Sequence, residues 1–196
     1  MERWPILGTE VHFECTKCGA CCREEGLLVT VTGYDITRLS LSLGLSASEV
    51  LRALDFYVLP ENDNAPLGMR GIPTVITEHG AAYIALRKME NGDCIFLSDD
   101  LCMIHQFRPG VCRSFPFVFH EKDGATRWGL SAMREICPGL GTGPEITADE
   151  LEKVSSQIIR ELSLYSDFAT EWNENEVDPK ASALIETILS DPRFAI

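Results

Sequence analysis

The sequence predicts an α+β fold: a small irregular antiparallel β region and an N-terminal helix pair around a cysteine metal site, with C-terminal helices. Three observations predict it. Four of the eight cysteines fall in one stretch, Cys15-Thr16-Lys17-Cys18-Gly19-Ala20-Cys21-Cys22. Short β-type runs separated by turn residues fill the middle of the chain. Beyond Pro144 the apolar residues change to helical spacing.

A chain of 196 residues suits one domain with an appendage. We expect a cysteine-cluster domain over 9–143 and a helical extension over 144–196 packed on it. Hydrophobic residues make up 45% and mean hydropathy is near zero, enough to bury a core. A net charge of -13 argues against binding nucleic acid or anionic lipid through the overall field, so neither nucleic acid nor membrane is expected as a partner. A protein partner or protein substrate is the remaining class. No apolar run approaches the roughly 20 residues of a membrane-spanning helix. Met1-Glu2-Arg3-Trp4-Pro5 lacks the features of a signal peptide. The expected location is therefore cytoplasmic, where reduced thiols favour metal binding over disulfides.

The elements follow in order. Residues up to Phe13 are a lead-in, and the cysteine stretch, with Gly19 and no periodic apolar face, reads as a loop. Leu27 to Val31 reads as a short buried strand. Thr32-Gly33-Tyr34-Asp35 is a capping box opening a helix through Ile36, Leu39, Leu41 and Leu43, stopped by Gly44. Ser46-Ala47-Ser48-Glu49 is a second box, opening a helix through Val50, Leu51 and Leu54. The pair has no basic recognition face, which argues against DNA-binding helix-turn-helix use.

Residues 60–71 are rich in Pro, Gly and Asn and read as an irregular loop. Between Ile72 and Lys88 two β-type runs flank Glu78-His79-Gly80, a hairpin. Cys94 to Leu97 reads as a strand turning at Ser98-Asp99-Asp100. A second hairpin turns at Lys122-Asp123-Gly124. A Gly/Pro-rich stretch follows Cys137. Thr147-Ala148-Asp149-Glu150 is a third capping box, ahead of Leu151, Val154, Ile158, Leu162, Tyr165, Phe168 and Trp172. The pattern breaks over Asn173 to Glu176. Asp178-Pro179 then reads as the cap of a last helix containing Leu184, Ile185, Ile188 and Leu189.

The candidate metal ligands are Cys15, Cys18, Cys21, Cys22, Cys94, Cys102, Cys112 and Cys137. Eight thiols divide into two four-thiolate sites, or one site with spare thiols. The Cys-x2-Cys-x2-Cys opening is the spacing of a bacterial iron–sulfur motif, and it also contains the Cys-x2-Cys knuckle of zinc sites. Adjacent side chains in an extended segment point apart. One of Cys21 and Cys22 is therefore expected at a second centre or behind the first. Cys15, Cys18 and Cys21 can converge, with a later cysteine closing the site.

Four thiolates around zinc or an oxidised [4Fe-4S] core leave a net charge of about minus two, costly to bury uncompensated. Lys17, Arg23, Arg108 and Arg113 lie beside cysteines and are the candidate residues that would neutralise and hydrogen-bond the sulfurs. His12 and His105 are near cysteines in sequence and can act as substitute ligands. His79 and His120 carry no such signal.

Taken together, Cys15-x2-Cys18-x2-Cys21-Cys22, Gly92-Asp93-Cys94-Ile95-Phe96-Leu97, the run from Cys102 through Phe107-Arg108-Pro109-Gly110-Val111-Cys112-Arg113 to Phe117, and Cys137-Pro138-Gly139 resemble the YkgJ family of cysteine-cluster proteins. The likeness covers about Cys15 to Gly143. It implies chelation of zinc or iron by these cysteines. The family commonly has tyrosine where this chain has His105. The same cluster occurs in flagellin lysine methylases, but no glycine-rich S-adenosylmethionine loop follows a strand here.

The leading expectation is a thiolate-ligated iron–sulfur cluster, [4Fe-4S], used in electron transfer or protein modification. The alternative cofactor is zinc, in a structural module for protein–protein interaction. A third reading is an enzyme with an open position at the metal, for which Glu14, Glu24, Glu25 and Asp93 are near in sequence. No residue is assigned a catalytic role.

Overall fold

The computed structural model describes residues 10–58, 72–122, 125–132, 134–175 and 178–196. Its elements in chain order are β1 (His12–Phe13), α1 (Ala20–Arg23), α2 (Gly33–Leu43), α3 (Ala47–Arg52), β2 (Leu54–Val58), β3 (Val75–Thr77), β4 (Gly80–Leu86), β5 (Leu97–Ser98), β6 (Leu101–Cys102), α4 (Gly110–Ser114), β7 (Phe117–Lys122), β8 (Ala125–Leu130), β9 (Leu140–Glu145), α5 (Ala148–Asn175) and α6 (Ala181–Ser190). Among the described residues the strands form four small antiparallel sheets. This is the α+β class that the sequence predicts.

The caps start the helices where the sequence places them. Thr32 and Asp35 exchange side chain and backbone to open α2, and Gly44 closes it in the left-handed conformation at φ 66. Ser46 and Glu49 form the second box. The helix it opens ends at Arg52. Leu54, expected within that helix, instead begins β2, with β-branched and aromatic residues to follow. Thr147 and Glu150 form the third box, ahead of α5.

The first expected hairpin is β3 and β4, paired from Thr77 and Gly80 outward. The second is β7 and β8; its turn residues 123–124 and the loop over 60–71 lie outside the described residues. β4 is central, with β2 along one edge and β3 on the other. The Leu27–Val31 segment is not a full strand. It docks on β4 through a single bridge, Thr30 to Ala85, with Val31 N–H donating to Ile84 O and Leu86 N–H donating to Val29 O. Cys94 to Leu97 is likewise not a strand. Cys94 makes one bridge to Lys88, and the strand pair β5–β6 begins at Leu97. The turn joining them holds Asp99 and Asp100 at positive φ, as a two-residue hairpin turn of the primed kind requires.

The Gly/Pro-rich stretch after Cys137 also differs from expectation. It forms β9, which pairs antiparallel with β1 across an irregular register. The lead-in thus returns to the far end of the cysteine region.

The main core joins α2, α3, β2, β4, α5 and α6, with Ile36, Leu39, Leu54, Ile84, Leu86, Tyr165, Phe168, Leu184, Ile185, Ile188 and Phe194 buried. The α5 stripe is only partly apolar. Leu151, Tyr165, Phe168 and Trp172 are buried, Val154 is exposed, and Ser155 and Glu161 are buried among them. The helix runs on to Asn175, past the expected break. Asn173 explains this. Its side chain accepts from Ile76 N–H at 2.8 Å and donates to Thr74 O at 2.9 Å, pairing with the outer edge of β3 as a strand would. Nor does Asp178-Pro179 cap α6. Lys180 is the N-cap, and Glu78 of the β3–β4 turn accepts the Ala181 N–H at 2.8 Å. A smaller cluster of Ala132, Cys137 and Leu140, with Phe13, Phe115 and Leu130, sits under β1 and β9.

Gly33 packs its backbone onto the Phe194 ring, and a Cβ there would lie 2.4 Å from a ring carbon. Gly33→Ala should therefore destabilise the protein by about 1–3 kcal/mol despite alanine's better helix propensity. Thermal unfolding should show a fall of roughly 2–4 °C per kcal/mol.

Candidate metal centre

Each thiol is placed by a local device. The cysteine stretch is not all loop. Gly19, at φ 69, turns the chain into the one-turn helix α1. A side chain at Gly19 would meet Asp100 O at 2.8 Å, so glycine is required twice over. In a helical turn neighbouring residues are about 100° apart rather than opposed. Cys21 and Cys22 therefore share one helical turn rather than pointing to opposite sides of the chain. Hydrogen bonding with Cys102 and Cys21 is the leading influence on the Cys22 thiol.

Cys94 is fixed by backbone. Its N–H donates to Cys22 O at 2.8 Å, so these two of the three buried cysteines share one short connection. Cys102 is held opposite Leu97 in the β5–β6 pair. Cys112 is on α4, which follows the 3₁₀ turn His105–Phe107. All eight cysteines are free thiols.

The thiols shape one another's acidity. Cys21 and Cys102 are each pulled below the ordinary thiol range, first by the hydrogen bond from Cys22, with Arg108 assisting. Cys22 is pushed up because it is the donor in both bonds and is desolvated as well. Burial pushes Cys94 up, and Cys112 well up, with the other sulfurs adding to it. Cys21, Cys94 and Cys102 add to the rise at Cys112. Cys21, Cys22, Cys94, Cys102 and Cys112 share one apolar cluster and form an inner group. Cys22 and Cys94 belong to the main core, while Cys21, Cys102 and Cys112 pack against it.

Three thiols lie outside this group. Cys15 and Cys18 are exposed. Cys137 is buried in the smaller apolar cluster, where Cys21 and Cys15 both act on it. Cys15 Sγ is 3.7 Å from His105 Nε2. Arg108 Nη1 approaches His105 Nδ1 at 3.3 Å, and arginine can only donate. Nδ1 is therefore the acceptor, and Nε2 carries the hydrogen that faces Cys15. Partial burial, then Arg108 and Lys17, keep His105 below its ordinary pKa, so the ring is neutral. His12 Nδ1 donates to Gly143 O at 3.0 Å rather than to a sulfur.

The four basic residues do different work. Arg108 is nearest to the expected role. It donates to His105 O at 2.6 Å and Cys112 O at 3.2 Å, and its charge favours the Cys21 and Cys102 thiolates. Arg23 pairs with Asp100 and donates to Cys18 O, bracing backbone rather than sulfur. Arg113 turns to Glu161 at 2.7 Å. Lys17 is exposed at φ 56, and its charge acts on His105.

Sequence reasoning missed Lys88. Its ammonium donates to Glu24 O at 2.8 Å and reaches Cys22 O at 3.5 Å, at the C-terminal end of α1, and favours the Cys94 thiolate. Its position at the end of a β run, six residues before Cys94, was the available signal. Of the nearby acids, Asp93 is engaged by Asn91, Glu25 covers Gly92, and Glu14 covers Gly143.

Among the described residues, no three His, Cys, Asp or Glu side chains are already arranged to hold an ion. The sulfurs are gathered in one region rather than set as a finished cage. Their chemistry nonetheless suits a soft metal centre. The inner five are free, gathered in and against one apolar cluster, and accompanied by Arg108 and Lys88 as compensating cations. Such a donor set suits metal binding.

The sequence model of the CxxCxxCC family, described as a putative zinc- or iron-chelating domain, matches residues 14–138. The chain belongs to this family. No curated protein and no solved structure matches it. Among the described residues, no helix is long and apolar enough to cross a membrane.

Because Cys22 supplies the hydrogen bond that favours the Cys102 thiolate, alkylation of Cys102 in reduced, metal-free protein should be half-maximal below the ordinary thiol value of about 8.5. The rate should fall as pH drops through that lowered midpoint, where the thiolate takes up its proton. Cys22→Ala should move the midpoint upward, read by mass-resolved labelling across pH.

Proposed function

We infer that this protein holds a thiolate-ligated iron–sulfur cluster on the inner group of sulfurs. The observation that carries the reading is the gathering of Cys21, Cys22, Cys94, Cys102 and Cys112 beside one core. All-thiolate ligation by four of these five suits an iron–sulfur cluster, as does the Cys15-x2-Cys18-x2-Cys21 spacing. Cys21, Cys94, Cys102 and Cys112 would hold the cluster, [4Fe-4S] on this reading, and Cys22 would remain as a hydrogen-bond donor. When bound, a cluster of this type supplies one-electron transfer. Arg108 and Lys88 offset the negative charge that the ligands bring into a low-dielectric region. The Cys22 thiol donates to ligand sulfurs, an interaction that tunes the potential of such centres.

The use we propose is electron transfer with a protein partner, or support of a protein modification, in the cytoplasm. Leu101 and Met103, 57% and 64% exposed, flank Cys102 and offer an apolar approach to the inner sulfurs. A related role beside lysine methylation is a weaker reading that rests on the shared cysteine module alone.

One observation favours the zinc alternative. Cys137, near the end of the family segment, is acted on by Cys15, near its start, beside β1 and β9. A structural zinc there would clamp that pairing and serve a protein–protein interface.

Anaerobically purified protein should be brown, with broad visible absorption bleached by dithionite and acid-labile sulfide in proportion to iron. Colourless protein loaded fully with zinc would overturn the cluster reading. In that case chelation should lower the melting temperature, as a structural ion requires.

A further inference from the structure

The long helix α5 carries a charge on its buried face. Glu161 is 5% exposed, level with Leu151, Tyr165 and Phe168 on the same helix. One oxygen accepts from Arg113 Nη2 at 2.7 Å. The other accepts from Arg38 Nη2 at 3.1 Å and from Gln157 Nε2 at 2.9 Å. Arg38 also faces Asp35, at 3.5 Å. Asp35, 2% exposed, accepts the Gly110 N–H at 3.0 Å. Four charges from three helices therefore close a chain that grips α4 at two points. Gly110 is held by Asp35 and Arg113 by Glu161, and Cys112 lies between them.

The five-residue α4 is too short to persist unaided. Its N-cap is Pro109, which provides no side-chain bond. Its placement must come from outside: Arg108 donates to the Cys112 carbonyl at 3.2 Å, and the two carboxylates supply the directional contacts that tie α4 to α2 and α5. Apolar packing would bury α4 without fixing its rotation, whereas paired charges with hydrogen bonds fix both ends. Glu161 also lies beyond residues 14–138, the segment matched by the family.

We propose that Glu161 is a positioning residue of the metal centre, acting through Arg113 to hold α4 so that Cys112 stays packed against the apolar cluster that also carries Cys21, Cys94 and Cys102. This rests on the thiols being a metal centre. The helical segment after the family region is then a working part of the site. Removing the Glu161 charge leaves Arg38 and Arg113 half-buried with one carboxylate between them, and α4 is released first.

The test is thiol labelling of the full-length, reduced, metal-free protein, with Cys112 and Cys94 followed side by side by mass. Cys94 is the control because its backbone is tied to Cys22 and not to the charge chain. Glu161→Gln should speed alkylation of Cys112 about tenfold while Cys94 changes less than about twofold, the mark of local rather than global opening. Equal acceleration at both sites, or none at Cys112, would overturn the proposal. Arg113→Gln leaves Glu161 paired with Arg38 and should give the same selective pattern, which covers a failure of Glu161→Gln to fold. In metal-loaded protein, Glu161→Gln should release its metal to a chelator about tenfold faster with an altered visible spectrum; an unchanged rate and spectrum would overturn the proposal. Wild-type protein that takes up neither iron nor zinc would refute the metal reading, while the labelling of apo protein would still decide whether Glu161 positions Cys112.

Discussion

The carboxylate of Asp35 ties the beginning of α2 to the beginning of α4, and the cysteine region depends on that tie. Asp35 accepts from the Thr32 backbone and hydroxyl at 3.0 Å each, and from the Gly110 backbone. Burial, with Glu161 adding, raises its pKa, and the Thr32 and Gly110 amides oppose the rise. A buried carboxylate is tolerated only with such partners. The same group thus completes a helix cap and reaches across to a loop 75 positions away. Local helix formation and the placement of a distant cysteine are set by one residue.

The inner sulfurs belong to or pack against the larger apolar cluster, Cys22 and Cys94 as members, and Cys137 lies in the smaller. Neutral thiols are at home there as small hydrophobes. Ionised thiols are not, and the shifts divide accordingly. Cys94 and Cys112 resist losing their protons, while Cys21 and Cys102 lose theirs more readily because Cys22 donates to them. A cation that displaces the protons of Cys94 and Cys112 supplies the charge their surroundings lack. Burial thus disfavours the bare thiolate at both positions.

Much of this was legible in the sequence wherever the information is local. The three capping boxes, the Gly44 stop and both hairpins depend on residues a few positions apart. The α5 face was legible from its apolar stripe, although Glu161 within that stripe could only be understood once Arg113 and Arg38 were seen beside it. The failures share a cause. β1 pairs with β9 across more than 120 residues, and a two-residue strand carries no pattern. The Ala181 amide finds its acceptor on Glu78, not on Asp178 next to it in sequence. Leu54 fits a helix as well as a strand until β4 lies beside it. At the site, the cysteine positions were readable, but the helical turn that keeps Cys21 and Cys22 together depends on Gly19 fitting under Asp100.

The pairing of β1 with β9 does more than tidy an end of the chain. Glu14 N–H donates to Gly139 O at 3.2 Å, and a side chain at Gly139 would strike the Glu14 carbonyl at 2.2 Å. The segments carrying the first and last cysteines are thus joined by main chain, with no contribution from sulfur. The entropy of closing that long loop is met by the polypeptide before any ion arrives. Main-chain pairing alone then sets the two ends of the cysteine region side by side, ahead of any sulfur chemistry.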